Sequence, residues 1–325
     1  MAKILAILCS GRKKGYTATL LAEAVSGAKE FSGQVDVEFV YLQDYSFGPC
    51  TSCFHCIRDP EHKCILDDDF GRNGEGEIYD KIDHANGLII ADPVHIWGPT
   101  AQCHLFFERC YPFVWSGRLE GMPIASISCA TNQGMHRLAY AEICKWAFAI
   151  GLRYIDGLAV HASYFQESIK EAKYIGKKLA ESALSDEKDS RKKFANDEEK
   201  YLYYMDKPWN GLFPYMDNLS SGSFGWQSSM IETALKRGVF KREDAVELLE
   251  KSSTEFKEAV RYYNLKDYEN TIKYLVRASS FWTHATWKEF LEEQAIKASP
   301  PDVYRPLPED KGTIEHKKKT KHKKQ

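Results

Sequence analysis

The run Gly87-Leu88-Ile89-Ile90-Ala91 constrains the fold more than any other stretch, because an unbroken apolar segment of strand length belongs in an element buried on both faces. Four similar segments surround it: residues 3–9, the period-two Val35-Asp36-Val37-Glu38-Phe39-Val40-Tyr41-Leu42, residues 122–128 and residues 153–160. Helical patterns lie between them. Leu20, Leu21, Ala24, Val25 and Ala28 recur at helical spacing after the first strand. Residues 78–84 suit a helix end, residues 100–110 a helix closed by Pro112, residues 136–150 another, and Glu167 to Leu184 an amphipathic closing helix. Five strands alternating with helices predict an α/β domain over residues 1–184, a doubly wound five-stranded parallel sheet with right-handed crossovers.

Past Leu184 the texture changes. Residues 185–200 open with the charge run Ser185-Asp186-Glu187-Lys188-Asp189-Ser190-Arg191-Lys192-Lys193 and read as a linker. Residues 201–300 read as a mainly helical extension whose first part is rich in aromatics: Tyr201, Tyr203, Tyr204, Trp209, Phe213, Tyr215, Phe224 and Trp226. These rings suit either cement for a helical appendage or a lid that selects a planar substrate. Residues 301–325 read as a disordered Lys-rich tail.

Charge narrows the partners. Lys and Arg number 44 against 46 Asp and Glu, and the seven Lys and one Glu of residues 311–325 leave residues 1–310 at a net −8. Such a body does not recruit nucleic acid or an anionic membrane. No apolar run is long enough to span a bilayer, and the apolar start leads straight into Arg12-Lys13-Lys14, as a first strand does and a signal peptide does not. A cytoplasmic protein is expected.

A loop that leaves a strand and enters a helix offers backbone N–H groups and the positive end of the helix dipole, which is what a phosphate monoester requires. Ser10, Gly11, Arg12, Gly15, Tyr16 and Thr17 form such a loop, without the Gly-x-Gly-x-x-Gly of a dinucleotide fold or a Walker motif. Pro93, Val94, His95, Ile96, Trp97 and Gly98 leave the third strand, and Thr131, Asn132 and Gly134 the fourth, on the same carboxyl rim. Ligands of open parallel sheets sit there. None of the histidines, His104, His136 and His161 included, is assigned as a general acid.

Ser10-x-Arg12-x-x-Gly15-x-Thr17, Pro93-x-x-x-x-Gly98-Pro99-x-Ala101-Gln102 and Phe106-Phe107-Glu108-Arg109 resemble the flavodoxin-like NADPH-dependent FMN reductase superfamily. The resemblance implies that the first loop holds the FMN phosphate and the second lies along the isoalloxazine ring. His95 and Trp97 depart from the Tyr and Gly often found there, which marks the substrate-facing side as unusual.

Nine cysteines divide into two sets. Cys9, Cys103, Cys110, Cys129 and Cys144 are scattered through apolar segments and read as small buried hydrophobes. Cys50, Cys53, Cys56 and Cys64 crowd into 15 residues, and four thiolates can wrap one iron-sulfur cluster or one zinc ion. Three cysteines stepping by three favour the corners of a cubane over paired zinc knuckles, and His55 and His62 read as loop residues rather than ligands. The spacing resembles the iron-sulfur flavoproteins, a branch of the same superfamily. That resemblance implies a 4Fe-4S cluster near FMN, a homodimer or homotetramer, a ferredoxin-like electron donor and a small-molecule acceptor. Two other functions stay open: a direct NAD(P)H-dependent flavin, quinone or nitroaromatic reductase without a redox-active cluster, and a non-enzymatic redox sensor.

Overall fold

The computed structural model describes residues 1–71, 77–132, 134–220, 227 and 229–297. The chain divides into two compact units, Met1–Pro214 and Tyr215–Gln325. Five parallel strands build the first: β1 (Ala2–Leu8), β2 (Val35–Tyr41), β3 (Gly87–Pro93), β4 (Pro123–Ala130) and β5 (Arg153–His161), in the order β2-β1-β3-β4-β5. This is the flavodoxin-like doubly wound order, with its reversal between β1 and β3. Register runs from Ala2 opposite Val35 on one side of β1 and from Ile4 opposite Gly87 on the other.

Alternation along the strands separates two cores. Ala2, Ile4, Ala6 and Leu8 of β1, Ile89 and Ala91 of β3, and Ala125, Ile127 and Cys129 of β4 face α1 (Tyr16–Phe31) and α7 (Phe165–Asp189). On the other face α6 (His136–Ile150) packs on β4 and β5 through Ala139, Ile143 and Ala147. The remaining helices of this unit are α2 (His55–Arg58), α3 (Glu77–Asp83), α4 (Ala101–Arg109), α5 (Tyr111–Ser116) and α8 (Asp197–Tyr203). Pro112 does not close α4. It occupies the first turn of α5, where a missing N–H costs nothing.

Helices α1 and α7 touch backbone to backbone. A Cβ at Gly27 would lie 2.0 Å from the Lys173 carbonyl oxygen, and one at Gly176 would lie 1.8 Å from that of Ala24. Only hydrogen fits at either position.

Two boundaries differ from the sequence reading. Helix α7 continues through residues 185–189, because its Asp, Glu and Lys are compatible with helix and Asp186 pairs with Arg153 at 2.8 Å. Beyond it Arg191 donates to the carbonyls of Arg118 and Ala85 at 2.6 and 3.3 Å, so this stretch is anchored rather than a free linker. The aromatic stretch is divided as well. Tyr201, Tyr204 and Trp209 ring Phe148 at centroid distances of 4.8–5.2 Å, and the Tyr203 and Tyr204 hydroxyls donate to β5 and its approach at Tyr154 and Leu152. These residues belong to the first unit. Phe224, Trp226 and the Lys-rich tail lie outside the described residues.

The second unit is helical. Helix α9 (Leu212–Leu219) leads into it, and α10 (Met230–Arg237), α11 (Glu243–Asn264), α12 (Tyr268–Thr286), a π-helical turn (Trp287–Leu291) and α13 (Glu292–Lys297) follow. Helices α11 and α12 pair along their length, tied where Ser252 donates to the Ala278 carbonyl at 2.7 Å. Buried Glu289 accepts the Lys241 and Arg242 amides at 2.9 and 3.0 Å and so steadies the entry to α11. Among the described residues no helix is long and apolar enough to cross a membrane.

Candidate functional site

Two separate cavities gather most of the residues singled out in the sequence. The first, about 660 Å³, opens at the carboxyl ends of β1, β3 and β4. Ser10, Arg12, Gly15, Tyr16 and Thr17 line one side and Pro93, Val94, His95 and Thr131 the other. Gly15 stands at the N-terminus of α1 without a side-chain cap, and the first turn holds no acidic residue. The helix therefore presents uncompensated N–H groups and a positive dipole end to the cavity, beside the Ser10 and Thr17 hydroxyls. The donor set suits a phosphate, so the residues present fit FMN.

Sequence reasoning missed Lys14, Thr19, Cys129 and Phe165 among the lining residues. Phe165 could have been found, since it follows β5 on the same rim; its ring lies 4.9 Å from that of Tyr16. Ile96, Trp97, Gly98, Asn132 and Gly134 do not line the cavity. His95 and Gly98 instead exchange N–H to O bonds of 2.9 and 3.1 Å, closing a turn whose central residues are Ile96 at φ 47° and Trp97 at φ 63°. Left-handed backbone is costly for a β-branched residue, and with Ile96 99% and Trp97 59% exposed, burial offers no recompense. The turn projects two apolar side chains past the rim. Asn132, also left-handed at φ 60°, accepts at its carbonyl from His161 Nε2 at 3.0 Å.

Beneath this rim lies a buried knot. Ligand atoms of Cys9, Asp92 and Cys103 lie within 4.8 Å of one another, so two of the scattered cysteines are neighbours of a carboxyl group. Thr100 Oγ1 accepts the Cys103 amide at 3.1 Å, and stands 2.7 Å from Asp92 Oδ1 and 3.2 Å from the Cys9 carbonyl oxygen. One hydroxyl proton cannot serve both acceptors. When it goes to Cys9, the short contact is satisfied by a proton on Asp92. Burial pushes Asp92 from 3.8 up to about 7, against the Thr100 bonds that lower it. Above about pH 4 the unfolded chain releases this proton while the folded chain keeps it to about pH 7, so stability should fall as pH rises through that window. Asp92→Asn should flatten this slope in urea melts at pH 5 and pH 7.5; an equal slope in both proteins counts against a neutral Asp92.

The second cavity, about 440 Å³, is bounded by Cys50, Cys53, Cys56 and Cys64 together with His104, Phe107, Glu108, Arg109, Tyr111 and Trp146. The cysteine loop holds three left-handed non-glycine residues, Ser52, Phe54 and His62, at φ 51°, 55° and 53°. Its fold is enforced from outside. Glu108 accepts the Cys50 amide at 3.0 Å; Arg109 donates to the Gly48 carbonyl at 2.8 Å and to both oxygens of Asp68 at 2.6 and 3.0 Å. His62 Nδ1 is engaged with the Cys56 carbonyl at 2.8 Å, and His55 begins α2.

Burial, with the neighbouring sulfurs adding to it, pushes Cys56 up to about 12, and burial also raises Cys50. A metal centre bound here would have to displace the protons that burial holds on Cys50 and Cys56. Four cysteines lining one cavity supply a donor set that fits an iron-sulfur cluster or tetrahedral zinc.

A family model described as NADPH-dependent FMN reductase matches residues 2–167. An iron-sulfur flavoprotein of Methanocaldococcus jannaschii is 33% identical over 110 residues, 34% of this chain and 52% of that protein. One from Archaeoglobus fulgidus is 29% identical over 189 residues, 55% of this chain and 80% of that protein. The chain thus spans about half the length of the first and four fifths of the second. A solved structure titled flavone reductase matches 59% of this chain and 66% of its own at 21% identity, with a TM-score of 0.43.

Proposed function

The chain belongs to the NADPH-dependent FMN reductase family, and on that premise we propose that it is an iron-sulfur flavoprotein oxidoreductase. In this reading it takes single electrons from a low-potential donor such as ferredoxin and passes them, by way of a 4Fe-4S cluster and FMN, to a small-molecule acceptor. A cluster exchanges electrons one at a time, whereas a flavin accepts them singly and can release a pair. The observation that carries the reading is the four-cysteine cavity at one end of α4, a helix whose other end follows the loop bounding the flavin cavity.

The residues have separable tasks. Ser10, Thr17 and the start of α1 would hold the phosphate, and Pro93, Val94 and His95 would border the ring. Cys50, Cys53, Cys56 and Cys64 would ligate the iron, with Phe107, Tyr111 and Trp146 forming an apolar wall beside them. That wall would limit water on its side of the sulfurs and so bear on the potential. A homodimer or homotetramer in the cytoplasm completes the proposal.

Anaerobic purification followed by iron, acid-labile sulfide and flavin assays tests it. The expected result is about four iron, four sulfide and one FMN per chain. FMN without iron, together with rapid bleaching of the flavin by NADPH alone, would make a direct NAD(P)H reductase the better reading, as the family's description allows.

A further inference from the structure

Arg109 sits at the end of α4 with its side chain 1% exposed, a costly place for a cation unless each donor has a purpose. Its Nη1 reaches the Gly48 carbonyl at 2.8 Å, just before Cys50, and Asp68 Oδ2 at 2.6 Å. Its Nη2 takes Asp68 Oδ1 at 3.0 Å and approaches the Cys64 sulfur at 3.9 Å. The guanidinium lies 4.9 Å from the Phe70 ring centroid. Asp68 is itself pinned by the Gly48 and Phe70 amides at 3.2 and 3.1 Å. One group of this size therefore ties both ends of the cysteine loop. Its Nε is buried without an acceptor among the described residues, and Arg109 lines the cavity that the four sulfurs bound. The Nη2 contact with Cys64 brings positive charge to sulfur.

We propose that Arg109 is a positioning residue that supplies a fixed positive charge to the Cys64 side of the cluster, raising its reduction potential, with Asp68 partly offsetting that charge. The inference rests on the iron-sulfur reading above. A cation in a poorly screened interior favours the state with one more electron, and hydrogen bonds to cluster sulfurs act in the same sense. Lys cannot replace the planar fork that reaches Gly48, Asp68 and Cys64 at once. Removing the two members of the pair should therefore have opposite effects. Arg109→Gln leaves the Asp68 charge alone near the loop and lowers the potential, while Asp68→Asn leaves the Arg109 charge uncompensated and raises it.

Anaerobic redox titration of the intact protein, followed by visible absorption and electron paramagnetic resonance, tests the assignment in wild type, Arg109→Gln, Arg109→Lys and Asp68→Asn. Poised at the wild-type midpoint, Arg109→Gln should show a reduced-to-oxidised ratio about tenfold lower, equivalent to 59 mV for one electron. Asp68→Asn should move the ratio upward, and Arg109→Lys should recover part of the Arg109→Gln shift. Midpoints that stay put, or that move in the same direction in Arg109→Gln and Asp68→Asn, overturn the assignment. Should Arg109→Gln fail to retain iron, Asp68→Asn decides alone, since loss of a mere brace lowers iron content without raising a potential. Wild-type protein without iron and sulfide overturns the underlying reading; loaded wild type with unmoved variants overturns the role of Arg109 only.

Discussion

Cys50→Ser will yield a protein that keeps its FMN but loses its iron and sulfide, to roughly a tenth of wild type or less, and loses donor-driven turnover in proportion. A serine hydroxyl is not ionised at neutral pH and cannot replace a thiolate on iron. The change is otherwise small, because the residue 50 amide remains bound to Glu108 and the other loop contacts do not involve the Cys50 side chain beyond a 3.4 Å approach of the Ser52 amide. FMN should persist because the two cavities share no lining residue. Cys56→Ser should behave alike at the most buried of the four positions. His62→Ala should retain iron, since the His62 Nδ1 atom is occupied at the Cys56 carbonyl. Iron and sulfide assays beside flavin fluorescence measure all three, and an unchanged iron content in Cys50→Ser removes that cysteine from the ligand set.

Gly176→Ala should cost about 3 kcal/mol or more, at the upper end of what overpacking does, because the methyl group meets a backbone oxygen rather than a side chain that can rotate away. Accommodating a carbon 1.8 Å from the Ala24 carbonyl oxygen requires α1 and α7 to part along their contact. That displaces the helix whose uncapped N-terminus faces the flavin cavity, so weaker FMN retention should accompany the lower melting temperature. Gly33→Ala is the control: no atom lies within 4 Å of its added methyl, and a neutral or slightly stabilising effect is expected. Urea unfolding of the two variants separates the outcomes; equal midpoints would mean that the helix pair yields without cost.

The fold was legible because buried parallel strands announce themselves as apolar runs. Those at residues 3–9, 87–91 and 153–160 coincide with β1, β3 and β5 to within two residues at each end. The alternation of strands and helices pointed to a doubly wound sheet, and the flavodoxin-like strand order followed from the family resemblance rather than from periodicity, which is silent on strand order. Local motifs were legible for the same reason that the strands were: Ser10 to Thr17 and the four cysteines are contiguous in sequence as well as in space.

Less was visible where the partners are distant. Glu108 and Arg109 carried a family pattern, but nothing in the sequence pairs them with cysteines 58 and 45 residues earlier. Asp92 beside Cys9 and Cys103 depends on the register of β1 against β3. The left-handed turn at Ile96-Trp97 contradicts the ordinary preference for Asn-Gly, so no propensity could have disclosed it. The charge run after Leu184 shows how composition misleads when one buried ion pair, Arg153 with Asp186, holds a polar stretch in place.

The distance along the chain between the cysteine loop and its brace also sets an order of events during synthesis. Cys50 to Cys64 leave the ribosome before Glu108 and Arg109, and at about 5–20 residues per second the interval from Cys64 to Arg109 is about 2 to 9 s. Throughout that time the thiols are exposed without the residues that hold the loop in its left-handed conformation. Metal delivered then meets a flexible peptide open to any thiophilic ion, whereas metal delivered afterwards meets a shaped site. On the proposed reading, a cluster inserted after Arg109 has emerged would meet the braced loop, and one inserted before it would not.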